Sequence, residues 1–413
     1  MKAIAYLANS FPEPGEPYVG EEIRALRNQG QRVIACSFRR PRQISPAANE
    51  FADETRYVLP LNVKHALLAS LFLLTNMHRI YDLIWRVFYG REPIRKKLRS
   101  VVHAFLGACL AARLQDQNVE HVHVHHGYFA SWAGLVCARI LGSSYSLTLH
   151  GSDLLIRGDY LDCKLQNARF CMTISQFNRE YILNRYPSAE TSKIRVHRLG
   201  VDANFWRPIS ERRNSKFTIV SVGRMHAVKN YEFLIRACHI LKLCGVKIRC
   251  VIAGDGKERA TLEQLISSMD LQHEVEFPGH IAREQLPQLY AQADIVVFTS
   301  ESEGIPVAAM EAMAMERVVL APAITGIPEL IEDGHSGLLY RPKSMNDFLA
   351  KLEQVRSRPG TNHELGRAAR RKVQAHFDHT RNLELFTVDF LHPIGRPTDD
   401  CALTNANPVL QQI

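Results

Sequence analysis

Residues 294–315 constrain the fold more than any other stretch of the chain. Asp294-Ile-Val-Val-Phe-Thr-Ser300 is a short apolar, β-branched run, the composition of a parallel strand buried on both faces. Val307-Ala-Ala-Met-Glu-Ala-Met-Ala-Met315 is rich in Ala and Met, holds no breaker and predicts a helix. Between them stands Glu301-Ser-Glu-Gly-Ile-Pro306. Gly304 permits unusual backbone angles there, and Pro306 suits the first helical position, where its missing N–H has no partner to lose. The stretch reads as strand, tight turn and open helix N-terminus.

Such a terminus is an anion site, because free N–H groups and the positive end of the helix dipole point the same way. Two carboxylates flank it. Glu303 lies in the turn at the strand's carboxyl end, and Glu311 lies inside the helix, roughly 7–8 Å further along at about 1.5 Å per residue. One can face a ligand's reacting end while the other holds a polyol; the plain alternative is a loop acid and a surface acid, both solvated. Glu311 stands among Val307, Ala308, Met310, Ala312 and Met313, where an unpaired buried carboxylate is costly, which favours a ligand role.

At 413 residues the chain is too long for one ordinary core, so two domains are expected. Nine Cys without a C-x-x-C pair favour a reducing cytoplasm over a disulfide framework. Met1-Lys-Ala-Ile-Ala-Tyr-Leu-Ala8 reads as a first strand rather than a signal peptide, and the longest apolar stretch, 66–74, is far short of the ~20 residues that span a bilayer. A net charge of +9 suits a nucleotide diphosphate or an acidic lipid surface. With no RNA-binding aromatic signature and no zinc-finger spacing, a nucleic-acid partner is not expected.

The chain opens as strand, helix, strand: Lys2–Ala8, Val19–Gln29 stopped by Gly30, then Arg32–Phe38, the start of a doubly wound α/β domain. The turn-rich loop at 9–20, which holds Glu16, Pro17 and Tyr18, is then expected at the carboxyl ends of the strands. Three helices follow at Val63–Leu74, Arg79–Phe88 and Arg95–Leu114, beside Arg91, Arg95, Lys96, Lys97 and Arg99. This basic insertion fits an anionic membrane surface, and equally a set of helices packed on the domain with a solvated basic edge. Glu120-His-Val-His-Val-His-His-Gly127 alternates, so His121, His123 and His125 share one strand face; no carboxylate or Cys joins them at ligand spacing, and no metal is assigned. Tyr145–Leu149 is a strand ending in His150-Gly-Ser-Asp153, and Phe170–Ile174 is another, with Ser175 as N-cap of a helix Gln176–Arg185. Arg207–Lys216 reads as a linker.

The pattern then restarts. Phe217-Thr-Ile-Val-Ser-Val-Gly223 leads into Arg224, a planar bidentate fork, and Lys229, a point charge, before a helix from Tyr231. Lys247–Ala253, the turn Gly254-Asp-Gly256 and a helix repeat it, followed by Glu274–His280, Leu286–Ala293, Arg317–Ala321, Gly326–Ile331 and Gly337–Tyr340. Helices at 345–357 and 362–376 precede a last one, Thr380–Leu391, capped by Asp378; beyond Pro393 the composition predicts disorder.

Ser302-Glu-Gly-Ile-Pro-Val-Ala-Ala-Met-Glu-Ala-Met313 resembles the E-x₇-E signature of retaining glycosyltransferase family 4, and its Ile305-Pro306 resembles the exopolysaccharide, colanic-acid-type branch. His150-Gly-Ser-Asp153 is similar to the family's His-Gly-x-Asp. Gly223-Arg224 with Lys229 is similar to its diphosphate clamp, except that Asn230 replaces the common Gly. Lys193–Asp202 is similar to its last N-domain strand and turn, with Arg198-Leu199 replacing the usual residues. The likeness covers roughly residues 1–391 and is densest over 217–340.

The resemblance implies an α/β GT-B fold: two Rossmann-like, doubly wound domains (1–207, with the helical insertion near 61–115, and 208–377) facing a central cleft, a crossover helix at 378–391 returning to the first domain, and a tail at 392–413. It implies retaining transfer of a hexose-type sugar from a UDP- or GDP-sugar to a glycan or lipid-linked acceptor; the expected location is the cytoplasm, with peripheral contact at the cytoplasmic membrane face left open. Glu303 and His150 would be catalytic. Arg224, Lys229, Gly304, Ile305 and Pro306 would hold the diphosphate and Glu311 the ribose. Gly223, Gly254, Gly256, Pro278, Gly279 and His280 would lie beside the nucleotide, and Glu16, Pro17, Tyr18, His125, His126 and Asp153 toward the acceptor. With no Asp-x-Asp motif beside the diphosphate residues, no cofactor and no obligate Mg²⁺ or Mn²⁺ is expected. A nucleotide-sugar 2-epimerase of the same fold, a scaffold in polysaccharide assembly and a phosphorylase are the alternatives.

Overall fold

A computed structural model describes residues 2–13, 15–42, 44, 49–156, 158–209 and 216–395. Within them the chain forms two compact units. The first takes the chain up to Ile174, Asn178–His197 and the segment from Leu383; the second takes Ser175–Phe177 and Arg198–Asn382. Most of the expected linker, residues 210–215, and residues 396–413 of the expected tail lie outside the described residues.

The first unit is a parallel sheet of β1 (Ala3–Ser10), β2 (Arg32–Arg39), β3 (Arg56–Tyr57), β4 (Val119–His125), β5 (Ser144–Leu149), β6 (Phe170–Thr173) and β7 (Ile194–Val196). Their order is β3-β2-β1-β4-β5-β6-β7, so the winding reverses between β1 and β4. The helices are α1 (Pro17–Asn28), α2 (Asn49–Glu54), α3 (Val63–Thr75), α4 (Met77–Tyr89), α5 (Ile94–Leu114), α6 (Phe129–Leu141), α7 (Ser152–Leu155), α8 (Leu161–Asn167) and α9 (Gln176–Arg185). Helix α1 opens on Pro17 and buries Val19, Ile23 and Leu26; the chain then turns through Gly30 at φ +70°, a left-handed stop. The three predicted insertion helices are α3, α4 and α5. Each covers the core with one stripe, Ile80, Leu83 and Val87 in α4 for example, and leaves a second apolar stripe exposed. Among the described residues no helix is long and apolar enough to cross a membrane.

The second unit repeats the design with β8 (Phe217–Val222), β9 (Ile248–Ala253), β10 (Val275–Gly279), β11 (Ile295–Val297), β12 (Val319–Pro322) and β13 (Leu338–Tyr340), ordered β10-β9-β8-β11-β12-β13. Its helices are α10 (Tyr231–Leu243), α11 (Arg259–Ser268), α12 (Leu286–Ala291), α13 (Val307–Ala314), α14 (Ile327–Leu330), α15 (Met345–Ser357) and α16 (Pro359–His376). Helix α17 (His379–Leu391) starts on Asp378, whose Oδ1 accepts from the Arg381 N–H at 2.9 Å. Its later residues Phe386, Phe390 and Leu391 belong to the first unit and bury against Ile4, Tyr6 and Phe170.

One local expectation changes. Pro306 is the N-cap of α13, with extended backbone (φ −72°, ψ 121°), because its carbonyl is the first acceptor for Ala309 and Met310. Within the second unit, the N–H groups of Gln176 and Phe177 donate to the Glu329 carboxylate at 3.0 and 2.8 Å.

Candidate active site

The E-x₇-E stretch sits at the carboxyl end of β11, next to β8 in the sheet. Lys229 follows β8, and its Nζ lies 2.5 Å from Glu303 Oε1, which also accepts from Ser300 Oγ at 2.6 Å. Thr299 Oγ1 donates to the Lys229 carbonyl at 2.9 Å, and the Glu301 N–H donates to the Val228 carbonyl at 2.8 Å. Thr325 Oγ1 donates to the Glu303 carbonyl. Lysine and glutamate, 74 residues apart, are thus held together by the pairing of β8 with β11 and by these loop contacts. Arg224 is exposed, and among the described residues its guanidinium has no hydrogen-bond or ion-pair partner.

Asn230 resolves the departure from the family's Gly. It adopts φ +49°, ψ 49° between Lys229 and α10, a left-handed conformation that Gly takes freely and Asn tolerates better than most side chains. The Gly-rich turns pack on one another. A Cβ on Gly254 (φ +139°) would lie 2.0 Å from the Gly223 carbonyl oxygen, and one on Gly256 would lie 2.2 Å from that of Met225. Backbone bonds from Gly223 to Ala253, Met225 to Asp255 and Gly254 to Gly279, at 2.8–2.9 Å, join the ends of β8, β9 and β10. Gly254 and Gly256 thus shape the loop that carries Arg224. Pro278 and His280 are exposed at the end of β10.

The Glu311 carboxylate is pushed up to about 7 by burial, although Tyr290 OH donates to its Oε2 at 3.0 Å. Gly304 and Pro306 shape the turn before α13. The Ile305 side chain is buried in the core, so only its backbone can face a ligand.

In the first unit, the predicted acceptor-side residues converge around His150. His150 Nε2 is 3.1 Å from His125 Nδ1, and its ring lies 5.0 Å from that of Tyr18, one residue after Pro17 at the start of α1. Asp153 accepts from the N–H groups of Gly127 and Gly151, each at 2.8 Å. Burial alone would raise its pKa, but His126 and the Gly151 N–H hold it well below the usual carboxylate range. His126 lies 3.2 Å from Glu16 and 3.7 Å from Asp153; burial opposes its charge, yet the two acids raise it to about 10. Burial holds His150 far below its ordinary value, so it is neutral at pH 7.

Glu22 is the residue that sequence reasoning missed. It is 1% exposed, its Oε2 lies 2.7 Å from His125 Nε2, and Tyr6 OH donates to it. Its place in the buried stripe of α1, with Val19, Ile23 and Leu26, was the available signal. The other two strand histidines have a different setting. Parallel register sets His121 beside Ser144 and His123 beside Ser146. Both nitrogens of His121 lie 2.7 Å from serine hydroxyls, Ser144 and Ser146, and His123 spans Ser146 and Thr148 at 2.7 and 3.0 Å. This seam satisfies the imidazoles within the sheet.

Comparison with known proteins matches the same two halves. Residues 15–205 match the model described as Glycosyltransferase Family 4, and residues 202–372 the model described as Glycosyl transferases group 1. The chain is 30% identical to the amylovoran biosynthesis glycosyltransferase AmsK of Erwinia amylovora, over 66% of this chain and 70% of that protein. It is 32% identical to the α-D-kanosaminyltransferase of Streptomyces kanamyceticus, over 66% of this chain and 72% of that one. Among solved structures it is similar in fold to Anabaena Alr3699/HepE in complex with UDP (TM-score 0.68, 17% identity, 94% and 99% of the two chains). Two Rossmann-like parallel sheets, the E-x₇-E turn and these matches lead to one conclusion: the chain belongs to the family 4, group 1 glycosyltransferases and is a glycosyltransferase of the GT-B fold.

Proposed function

We propose that the protein transfers a hexose-type sugar, with retention, from a UDP- or GDP-sugar to a growing glycan or lipid-linked acceptor. The observation that carries this reading is the Lys229–Glu303–Ser300 cluster at the ends of β8 and β11, set at the turn into α13. When the sugar–phosphate bond breaks, its electron pair leaves with the diphosphate oxygen. Lys229 and Arg224 neutralise that charge where it develops, aided by the N-terminus of α13. A diphosphate that draws Lys229 away frees the Glu303 carboxylate to bind sugar hydroxyls and face the positive charge growing at the anomeric carbon. Glu311 holds the ribose hydroxyls; with a pKa of about 7 it presents both accepting and donating forms near neutrality. His150 is uncharged, so it hydrogen-bonds the transferred sugar without adding a cation beside a cationic transition state. Glu16, Tyr18, His126 and Asp153 serve the acceptor.

The UDP in the Anabaena neighbour and the exopolysaccharide role in the AmsK name support this donor and acceptor class. Because the two side-chain cations carry the neutralisation, transfer is expected to survive EDTA. Exposed Leu67, Leu71, Trp85, Tyr89, Ile94 and Leu98 on α3–α5, interleaved with Arg91, Arg95 and Lys97, support contact with an anionic membrane surface. Sedimentation with phosphatidylglycerol vesicles but not phosphatidylcholine vesicles is the expected result.

The test of the donor reading is thermal stabilisation by UDP, GDP, ADP and CMP. A nucleotide at a hundred times its dissociation constant adds about 2.7 kcal/mol. A shift with UDP or GDP that Lys229→Ala abolishes is expected; no shift with any nucleotide would refute the reading.

A further inference from the structure

The first unit holds a cavity of about 500 Å³ that none of the roles above uses. Asn9 at the end of β1, Arg39 at the end of β2 and Tyr128 beyond β4 all line it. These are the carboxyl ends of strands around the β1/β4 reversal, where an open parallel sheet leaves a crevice for ligands. Its inner wall is apolar and aromatic, from Leu106, Phe129, Trp132 and Tyr160. Its charge is one-sided: Arg39, Lys96, Arg99 and Lys164 line it against Asp159. Asp159 is taken by Lys96 at 2.5 Å, and the buried Lys164 donates to the Gly127 and Tyr128 carbonyls at 2.7 and 3.3 Å. Arg39 and Arg99 are exposed, and among the described residues their guanidinium groups have no hydrogen-bond or ion-pair partner.

Two features together point to an amphiphile. The guanidinium pair offers planar forks suited to phosphate oxygens. Helix α5, which contributes Lys96, Arg99 and Val102 to the cavity, also carries the exposed stripe Ile94, Leu98, Val101 and Val102. Val102, 57% exposed, belongs to both. A chain too long for the cavity would therefore meet apolar surface where it leaves. The Gly127–Tyr128 segment separates the cavity from the His126–Asp153 cluster, which places bound ligand next to the residues assigned to the acceptor.

We propose that this cavity binds the phosphate or diphosphate head, and the first apolar units, of a lipid alcohol phosphate that carries the acceptor glycan. The proposal rests on the glycosyltransferase reading for its purpose, but not for its test. Farnesyl diphosphate is titrated into the full-length protein by calorimetry and by Trp132 emission, with farnesol and inorganic pyrophosphate as the two half-ligands. All titrations are repeated on a Lys229→Ala background, so that the second unit's cations do not contribute. Saturable 1:1 binding is expected, at least tenfold tighter than either half-ligand and weakened at least tenfold by Arg39→Ala/Arg99→Ala. Both arginines are exposed, so the double variant should fold, and unchanged circular dichroism checks that. Pyrophosphate binding as tightly as farnesyl diphosphate, farnesol doing so, undiminished binding to the double variant, or no binding would each overturn the proposal. The UDP-induced shift, measured on the double variant, reads the donor site separately, so either reading can fail while the other stands.

Discussion

Glu311→Gln should make the protein more stable at alkaline pH while weakening its hold on nucleotide. Burial raises the Glu311 pKa to about 7 from an ordinary 4.5. The folded state therefore binds this proton more tightly than the unfolded chain. The native state carries no penalty below pH 4.5; one grows as pH rises toward 7 and is complete above it. At about 1.4 kcal/mol per unit, 2.5 units amount to about 3 kcal/mol at pH 8 and about 1 kcal/mol at pH 5. Gln keeps an oxygen for the Tyr290 hydroxyl and removes the charge, so the variant's gain should be about 2 kcal/mol larger at pH 8 than at pH 5. Any intrinsic effect of the amide cancels in that difference. Urea titrations at the two pH values measure it through tryptophan emission, since Trp206 is buried with its ring 5.8 Å from that of Tyr290. The same variant should need a higher UDP concentration for a given thermal shift. A gain independent of pH, or a loss at pH 8, would refute the claim that burial raises the Glu311 pKa.

Asn230→Gly should be neutral or slightly stabilising, whereas Asn230→Ala should cost about 1–2 kcal/mol in urea melts, because only the second forces a left-handed Ala. Gly254→Ala places a methyl 2.0 Å from the Gly223 carbonyl oxygen; it should displace the Arg224 loop and abolish the UDP shift, with a lowered urea midpoint. His126→Gln should destabilise by a few kcal/mol at pH 6 and progressively less as pH rises through about 10. The folded pKa lies above the unfolded value of 6.5, so the stabilising charge is fully present below pH 6.5 and lost above 10. The wild-type-minus-variant difference in urea midpoints at pH 6 and pH 10 checks the sign.

Periodicity and turn chemistry are local properties, and what depends on them was legible in the chain. A strand buried on both faces must be apolar along its length, so β1, β8 and β11 stand out as largely apolar runs. A helix on a parallel sheet must show a 3.6-residue stripe, so α1, α4 and α10 do. E-x₇-E, Gly-Arg…Lys and His-Gly-x-Asp carried the resemblance that implied the GT-B class and named most of the candidate residues. Relations between distant residues were decided by tertiary structure alone. The Lys229–Glu303 pair exists because β8 and β11, consecutive in neither chain nor function, are neighbours in the sheet. Glu22 reads as one more helix acid until α1 lays it against His125. Arg39 and Arg99 line one cavity only where β2 ends beside α5. Sequence spacing carries no record of such contacts, since a through-space pair leaves each partner's local pattern unchanged.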